Sequence, residues 1–166
     1  MDIYSDEQLR RVILEQVIYP MQKEIAKRIT DKLKSYIKEN AKKNATENGE
    51  GNTLSTRTMR KYTTYEIQKS ADSCVSTIYI DDDAMQDEAV EYKYGLYSKF
   101  MSLGLKPDYN GQSISYWLVY WLEENGANGL RGNNPIPAIH MFENTYKEIE
   151  SLIPSWVKEL AEKYGV

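Results

Sequence analysis

The longest pattern in the chain is an apolar stripe between residues 6 and 43, where an apolar residue recurs at every fourth position. This spacing is typical of one face of an α-helix. The stripe consists of Leu9, Ile13, Val17, Met21, Ile25, Ile29, Leu33 and Ile37. Because an α-helix has about 3.6 residues per turn, each step rotates the stripe by roughly 40°. We interpret the stripe as core; the alternative is a helix that also meets another subunit.

Pro20 lies in the middle of this run. Proline lacks a backbone N–H, and its ring clashes with the preceding helical turn, so it kinks or splits a helix. The pattern therefore predicts a short first helix, a bend near Tyr19 and Pro20, and a long second helix. We expect a sheet and the later helices to pack against the second helix.

A period of two residues replaces the helical period in the next part of the chain. The segments Leu54 to Ile67 and Cys74 to Ile80 both alternate in character and are rich in Thr, Tyr and β-branched residues. Between them, Ser70 to Ser73 has the side chains that favour turns. These features predict an antiparallel hairpin.

The C-terminal third returns to helical spacing. Residues 113–125 fit a helix, although a short apolar run of this kind also fits a buried strand. The last helical region has a predicted buried stripe of Ile139, Phe142, Tyr146, Ile149 and Ile153. Pro154 restarts the helix, which continues to Gly165. The prediction is an α+β fold in one domain, residues 1–166, with a long N-terminal helix and C-terminal helices packed on a small antiparallel β-sheet.

Two segments are predicted to be mobile loops. Residues 44–53 are polar with two glycines, and residues 81–95 begin with an acidic run. Consecutive carboxylates can bind a hard cation, but residues 81–91 lack the alternate spacing and the glycine of a calcium loop. We therefore interpret this run as an acidic surface loop and predict no metal site.

Charge divides between two segments. The predicted second helix, residues 20–43, has eight Lys or Arg residues and three acids, which is a local excess of +5. Residues 81–91 have six acids and no base. The chain as a whole has a net charge of −4, which does not favour sequence-specific binding of nucleic acid.

Composition adds weaker indications. The chain has 14 Tyr, 3 Trp and only 2 Phe, and Tyr and Trp are enriched where protein surfaces meet. One cysteine, Cys74, excludes an internal disulfide. We recognise no signal peptide and no apolar run of membrane-spanning length. These features indicate a reducing environment without a membrane.

Motifs for catalysis are few. His140 is the only histidine, so a two-histidine metal site is excluded. The chain has no nucleophile elbow, no phosphate loop of the Walker type and no dinucleotide fingerprint. This favours binding or structure over catalysis, with no enzyme activity and no cofactor.

Several short motifs occur in a characteristic order. A polar, Gly-containing segment, EGNTLSTRTMR, follows the long helix, and YWLEENG precedes a Gly-rich loop. The segment NPIPAIHMFENT then opens the final helix, with Pro137, Ala138 and Phe142 in a P-A-x-x-x-F pattern. In this order of parts the chain resembles the tail-completion, or neck, proteins of long-tailed bacteriophages and prophages, also called head–tail joining or minor tail proteins. The acidic segment is longer than the family pattern, and YWLEENG lacks an aromatic residue between Glu and Gly.

The resemblance implies a non-enzymatic virion protein that is made in the cytoplasm of a bacterial host. Its subunits would form a ring, commonly a hexamer, at the head-proximal end of the tail. The ring would contact the head connector or stopper and the tail tube or terminator, and DNA would pass through it. The opposite charges suggest a contact between subunits. Its candidate residues are Lys27, Lys34, Lys38, Asp81, Asp82, Asp83, Asp87 and Glu88.

Three alternatives remain open at this point. The charged segments can instead pair within one subunit or face water. The protein can be a small cytosolic adaptor or inhibitor that binds one partner through Tyr and Trp. It can also be a metal-dependent hydrolase that uses the acidic run and His140.

Overall fold

The computed structural model describes residues 5–47, 59–91, 108–109, 112–113, 116, 119–120, 123–124, 127–128, 135–136 and 138–166. It confirms the α+β class, with a long N-terminal helix, C-terminal helices and a small antiparallel sheet. The helices are α1 (Asp6–Ile13), α2 (Tyr19–Glu47), α3 (Asp82–Glu91), α4 (Met141–Glu150) and α5 (Ile153–Tyr164), with a π-helical turn at Leu14–Ile18. The hairpin strands are β1 (Thr63–Lys69) and β2 (Cys74–Ile80). Two short antiparallel pairs join β3 (Asp108–Tyr109) to β4 (Gln112–Ser113) and β5 (Ala127–Asn128) to β6 (Pro135–Ile136).

The N-terminal run stays helical through Pro20. In the π turn the Tyr19 N–H donates to the carbonyl of Leu14, five residues back. The next residue is Pro20, which has no N–H and whose ring would crowd the carbonyl four residues back. The predicted split is therefore a change of helix type next to the proline, and π turns are a known way of accommodating such a break.

The buried face of α2 differs from the predicted stripe. Among residues 19–40 of α2, the buried ones are Met21, Ala26, Thr30, Leu33 and Ile37. Steps of four and three alternate from Ala26 to Ile37, which keeps these residues on one side of the helix. The strict four-residue stripe drifts around the helix, so Ile25 and Ile29 are only half-buried and Leu9 and Ile13 are exposed. The prediction that the whole stripe is core is wrong.

The predicted hairpin is present, with its turn at Ser70 to Ser73. The Ser70 N–H donates to the Ser73 carbonyl at 2.8 Å, and the two hydroxyls lie 2.7 Å apart. Burial alternates along β2, as expected for a strand with one covered face. The first strand is shorter than predicted because residues 59–62 are helical.

The acidic segment is a helix, so the prediction of a loop at residues 81–91 is wrong. Asp81 is its N-cap: its carboxylate accepts the Ala84 N–H at 3.0 Å, and its carbonyl accepts the Met85 N–H at 3.0 Å. Asp82 and Asp83 follow in the first turn. Carboxylates stabilise this end of a helix because unpaired N–H groups give it a partial positive charge. The predicted loop at 44–53 is also helical as far as Glu47, and residues 48–53 and 92–95 lie outside the described residues.

In the C-terminal helices the buried face is also rotated from the prediction. Ile139 and Ile149 are buried as predicted, but Tyr146 is 59% exposed, and Met141 and Thr145 are buried instead. Pro154 lies in the first turn of α5, and Gly165 ends α5 in the left-handed conformation at φ 76°. Both agree with the predicted restart and end. Within residues 113–125, Ser113 belongs to β4, and the described residues 116, 119–120 and 123–124 are helical, which agrees with the helix alternative for the rest of the range.

The chain forms two compact units. The first comprises residues 1–32, 64–79 and 145–166, and the second comprises residues 33–63 and 80–144. The core of the first unit includes Met21, Ala26, Ile149 and Leu160. The core of the second includes Leu33, Ile37, Met59, Ile80, Met85, Ile139 and Met141. That the chain is one domain stays a prediction.

Candidate assembly surfaces

The three candidate lysines lie on one face of α2. Lys27, Lys34 and Lys38 are spaced by seven and four residues, which places them within about 40° of one another around the helix axis. Lys27 and Lys38 are exposed and Lys34 is half-buried. None of the three forms an ion pair in the part of the chain that the structure describes. Asp31 lies on the same side of α2, so this basic face contains one acid.

Other basic residues of α2 are paired within the first unit. Arg28 donates to both carboxylate oxygens of Glu159, at 2.9 and 2.6 Å, and its guanidinium lies 5.7 Å from the centre of the Trp156 ring. Lys32 donates to Glu148 at 2.5 Å. These contacts fix α4 and α5 against α2. The positive charge available for another molecule is therefore smaller than the sequence excess of +5.

The candidate acids of α3 separate into two groups. Asp81 is committed to the N-cap, and Asp82 also has an interaction partner. Asp83 and Asp87 are exposed and four residues apart, so they share one face of α3. Neither forms an ion pair with another described residue. Glu88 belongs to α3, but its side chain is not among those that the structure describes.

The apolar stripe predicted that the aliphatic residues of α1 belong to the core, but in the structure they are exposed. Every residue from Ser5 to Ile13 is exposed, and α1 contains no buried residue. Four aliphatic side chains are prominent, with exposed fractions of 50% for Leu9, 38% for Val12, 43% for Ile13 and 42% for Ile18. Leu9, Val12 and Ile13 share one side of α1, and an exposed apolar surface of this kind marks a candidate interaction site. The spacing that suggested a core stripe was also the signal for this surface.

The residues that follow α1 are anchored to the hairpin. Lys69 of β1 donates to Glu15 at 2.9 Å and lies 3.4 Å from the centre of the Tyr19 ring. The hydrogen bond to Glu15 raises the pKa of Lys69 above its usual value. Gln22 donates to the Ser76 hydroxyl of β2 at 2.7 Å. The apolar residues of α1 therefore project from a fixed base.

The P-A-x-x-x-F motif coincides with an unusual helix start. The carboxylate of Glu123 accepts the backbone N–H of Phe142 at 3.1 Å and that of Glu143 at 3.2 Å. Glu123 thus caps α4 from 19 residues earlier in the chain. No local sequence signal indicates such a cap. Pro137 lies outside the described residues.

His140, the candidate base of the hydrolase alternative, precedes this helix with φ 44°. Its Nδ1 lies 3.7 Å from a carboxylate oxygen of Glu143. On the preceding residue, the Ile139 carbonyl accepts the Tyr36 hydroxyl at 3.0 Å, and the Asn144 amide donates to that hydroxyl at 2.7 Å. The His140 backbone therefore follows an anchored residue, and its own carbonyl accepts the Asn144 N–H at 2.9 Å.

Two structural features are absent from the described residues. No group of three or more His, Cys, Asp or Glu side chains in these ranges is arranged to hold a metal ion. None of the helices described has the length and apolar character needed to cross a lipid bilayer.

Comparison of the chain with protein-family models, with curated proteins and with solved structures gave no match.

Proposed function

We propose that this protein is a structural protein of the neck or tail of a long-tailed bacteriophage or prophage. In this role it completes the head-proximal end of the tail and joins it to the head connector as one subunit of a ring. It has no catalytic activity of its own, and it resides in the virion. The motif order described above supports this proposal.

The observation that carries the proposal is two faces of opposite charge, whose residues form no ion pair within the described part of the chain. Lys27, Lys34 and Lys38 on α2 form no ion pair with a described residue, and the same holds for Asp83 and Asp87 on α3. In a heterologous ring, one face of each subunit meets a different face of the next. Opposite charges on two such faces set the register and the rate of association. The remaining surface is then available to the connector and the tail tube.

Charge reversal tests the ring contact. Asp83→Lys combined with Asp87→Lys leaves the Asp81 cap intact and should abolish ring formation in light scattering and negative-stain images. Asp72→Lys combined with Glu150→Lys makes the same change in net charge on exposed residues elsewhere and is the matched control. Adding Lys34→Asp and Lys38→Asp to the first variant should restore assembly. The ring should also weaken as sodium chloride is raised, because salt screens exposed charges.

If neither salt nor charge reversal changes ring assembly, the proposal that these two faces form the contact between subunits is wrong. The neck role is tested separately by mass spectrometry of purified phage particles, or of induced prophage particles, whose genome encodes this protein. We expect the protein in intact particles at a few copies per tail. Particles that lack it would contradict the role even if the purified protein forms rings.

A further inference from the structure

Helix α1 leaves aliphatic side chains exposed to solvent. Its start is locally stabilised by a capping box, in which the Gln8 N–H donates to the Ser5 hydroxyl at 3.3 Å and the Gln8 side chain accepts the Ser5 N–H at 2.8 Å. The helix nevertheless buries nothing among the described residues. Because α1 continues through the π turn into α2, the helix forms without a partner, and what a partner would change is the exposure of the apolar side chains of α1.

The charges of α1 are ordered along one side of that face. With Leu9 at the centre, Ile13 lies about 40° to one side and Val12 about 60° to the other. Asp6 and Arg10 flank the apolar face on the same side as Ile13, at about 60° and 100°. Neither forms an ion pair with any residue in the described ranges. The flank is thus acidic at its start and basic one turn later.

We propose that α1 binds α1 of a second copy of this chain in antiparallel orientation, about a two-fold axis near Gln8 and Leu9. In this arrangement Asp6 of each copy lies opposite Arg10 of the other, and the two Leu9 side chains pack at the axis. In a parallel pair this flank would face the opposite flank of the partner helix, so Asp6 and Arg10 would not meet each other. The antiparallel pair also opposes the two helix dipoles. The surface is therefore complementary to itself, as a two-fold contact requires.

This pairing is independent of the proposed neck function. It uses residues of α1, whereas the ring contact uses α2 and α3, so either contact can form without the other. A helix of eight residues buries less area than a standard protein interface. The dimer is therefore weak, with a dissociation constant on the order of micromolar.

Charge-swap variants test the orientation directly. Asp6→Arg and Arg10→Asp, each alone, place like charges opposite each other and should weaken the dimer about tenfold in sedimentation equilibrium. The double variant Asp6→Arg/Arg10→Asp should restore it. An equimolar mixture of the two single variants should form heterodimers, because one contributes two arginines and the other two aspartates.

The matched controls lie on the opposite side of the same helix. Glu7→Arg and Arg11→Asp make identical charge changes in the same turns and should leave the dimer unchanged. Circular dichroism of each variant shows whether α1 stays helical, and Leu9→Asp should abolish dimers whatever the flanking charges. A chain that remains monomeric at the highest concentration overturns the proposal. So does self-association beyond two copies through α1, or two single variants that fail to pair when mixed.

Discussion

At the scale of single residues, His140 is held in a backbone conformation that favours glycine. Its φ of 44° lies in the left-handed region, which costs a non-glycine residue about 1 kcal/mol. We expect His140→Gly to raise the free energy of unfolding by roughly 0.5–1 kcal/mol, measured by urea denaturation. His140→Ala also removes the imidazole but keeps the strained backbone, so it should show no gain. Equal stability of the two variants would contradict strain as the cause.

Thr145 is a second residue whose local environment predicts stabilisation. It is 3% exposed, and its hydroxyl oxygen has no hydrogen-bond partner among the described residues. A buried unpaired hydroxyl is unfavourable, so Thr145→Val should raise the free energy of unfolding by about 1 kcal/mol. Thr30 and Thr63 are the matched controls, because both are buried and donate to helix carbonyls at 2.8 and 2.7 Å. The same change there should be neutral or destabilising in thermal unfolding, and a gain at all three positions would contradict the explanation.

At the scale of secondary-structure elements, α4 depends on a cap from a distant residue. Glu123 accepts the N–H groups of Phe142 and Glu143, which have no partner within their own helix. We expect Glu123→Ala to lower the free energy of unfolding by about 1–2 kcal/mol. Glu123→Gln should lose less because its amide oxygen still accepts a hydrogen bond. Glu124→Ala, at the exposed neighbouring residue, is the control in the same urea titrations, and an equal loss there would contradict the cap.

The packing of α5 on α2 predicts a dependence on pH. The hydrogen bond from Lys163 lowers the pKa of Glu24 below its usual 4.5, and the hydrogen bond from Arg28 lowers the pKa of Glu159 in the same way. A carboxyl with a lowered pKa stabilises the fold above its unfolded-state pKa. This contribution is lost as the pH falls through the folded-state value. Because both carboxyls are exposed to solvent, the contribution is small.

Glu24→Gln combined with Glu159→Gln should therefore lower the urea midpoint at neutral pH. The difference from the unmodified chain should shrink once the pH falls below 4.5 and vanish below the folded-state values. Glu150→Gln combined with Glu162→Gln removes two carboxylates that form no ion pair in the described part of the chain. For this control, the difference in urea midpoint from the unmodified chain should not shrink in the same way. If the midpoint differences of both double variants change equally with pH, the role of these ion pairs is contradicted.

At the scale of the whole molecule, the sequence predicts where helices and strands occur better than it predicts which side of each is buried. The hairpin, its serine turn, the restart at Pro154 and the end at Gly165 follow from local chemistry, and all are present. The buried side of α4 does not follow, because Phe142 and Tyr146 look as apolar as their neighbours. Met141 and Thr145 are buried instead, because packing against other elements determines which side of the helix is covered.

The candidate surfaces show the same limit. Spacing alone places Lys27, Lys34 and Lys38 on one face, but it does not show that Arg28 and Lys32 are neutralised by residues more than 100 positions later. The acidic run was interpreted as a surface loop because it lacks the spacing and the glycine of a calcium loop. Its aspartates are favourable at a helix N-terminus, and Asp81 is the cap that sets the start of α3.

The two compact units predict how the whole chain unfolds. Lys32 and Leu33 belong to different units but are consecutive in α2, and Asn144 and Thr145 are consecutive in α4. Separating the units would break two continuous helices, so we expect the units to unfold together as the single predicted domain.

Cavity variants in each unit test this cooperativity. Leu33→Ala in the second unit and Leu160→Ala in the first should each cost about 2–5 kcal/mol, because both side chains are fully buried. Native-state hydrogen exchange then reports on α3 in the second unit and α5 in the first. Each variant should accelerate exchange in both helices by the same free energy, since exchange from the core occurs by global unfolding. Acceleration confined to the unit that carries the substitution would show instead that the chain contains two independently unfolding domains.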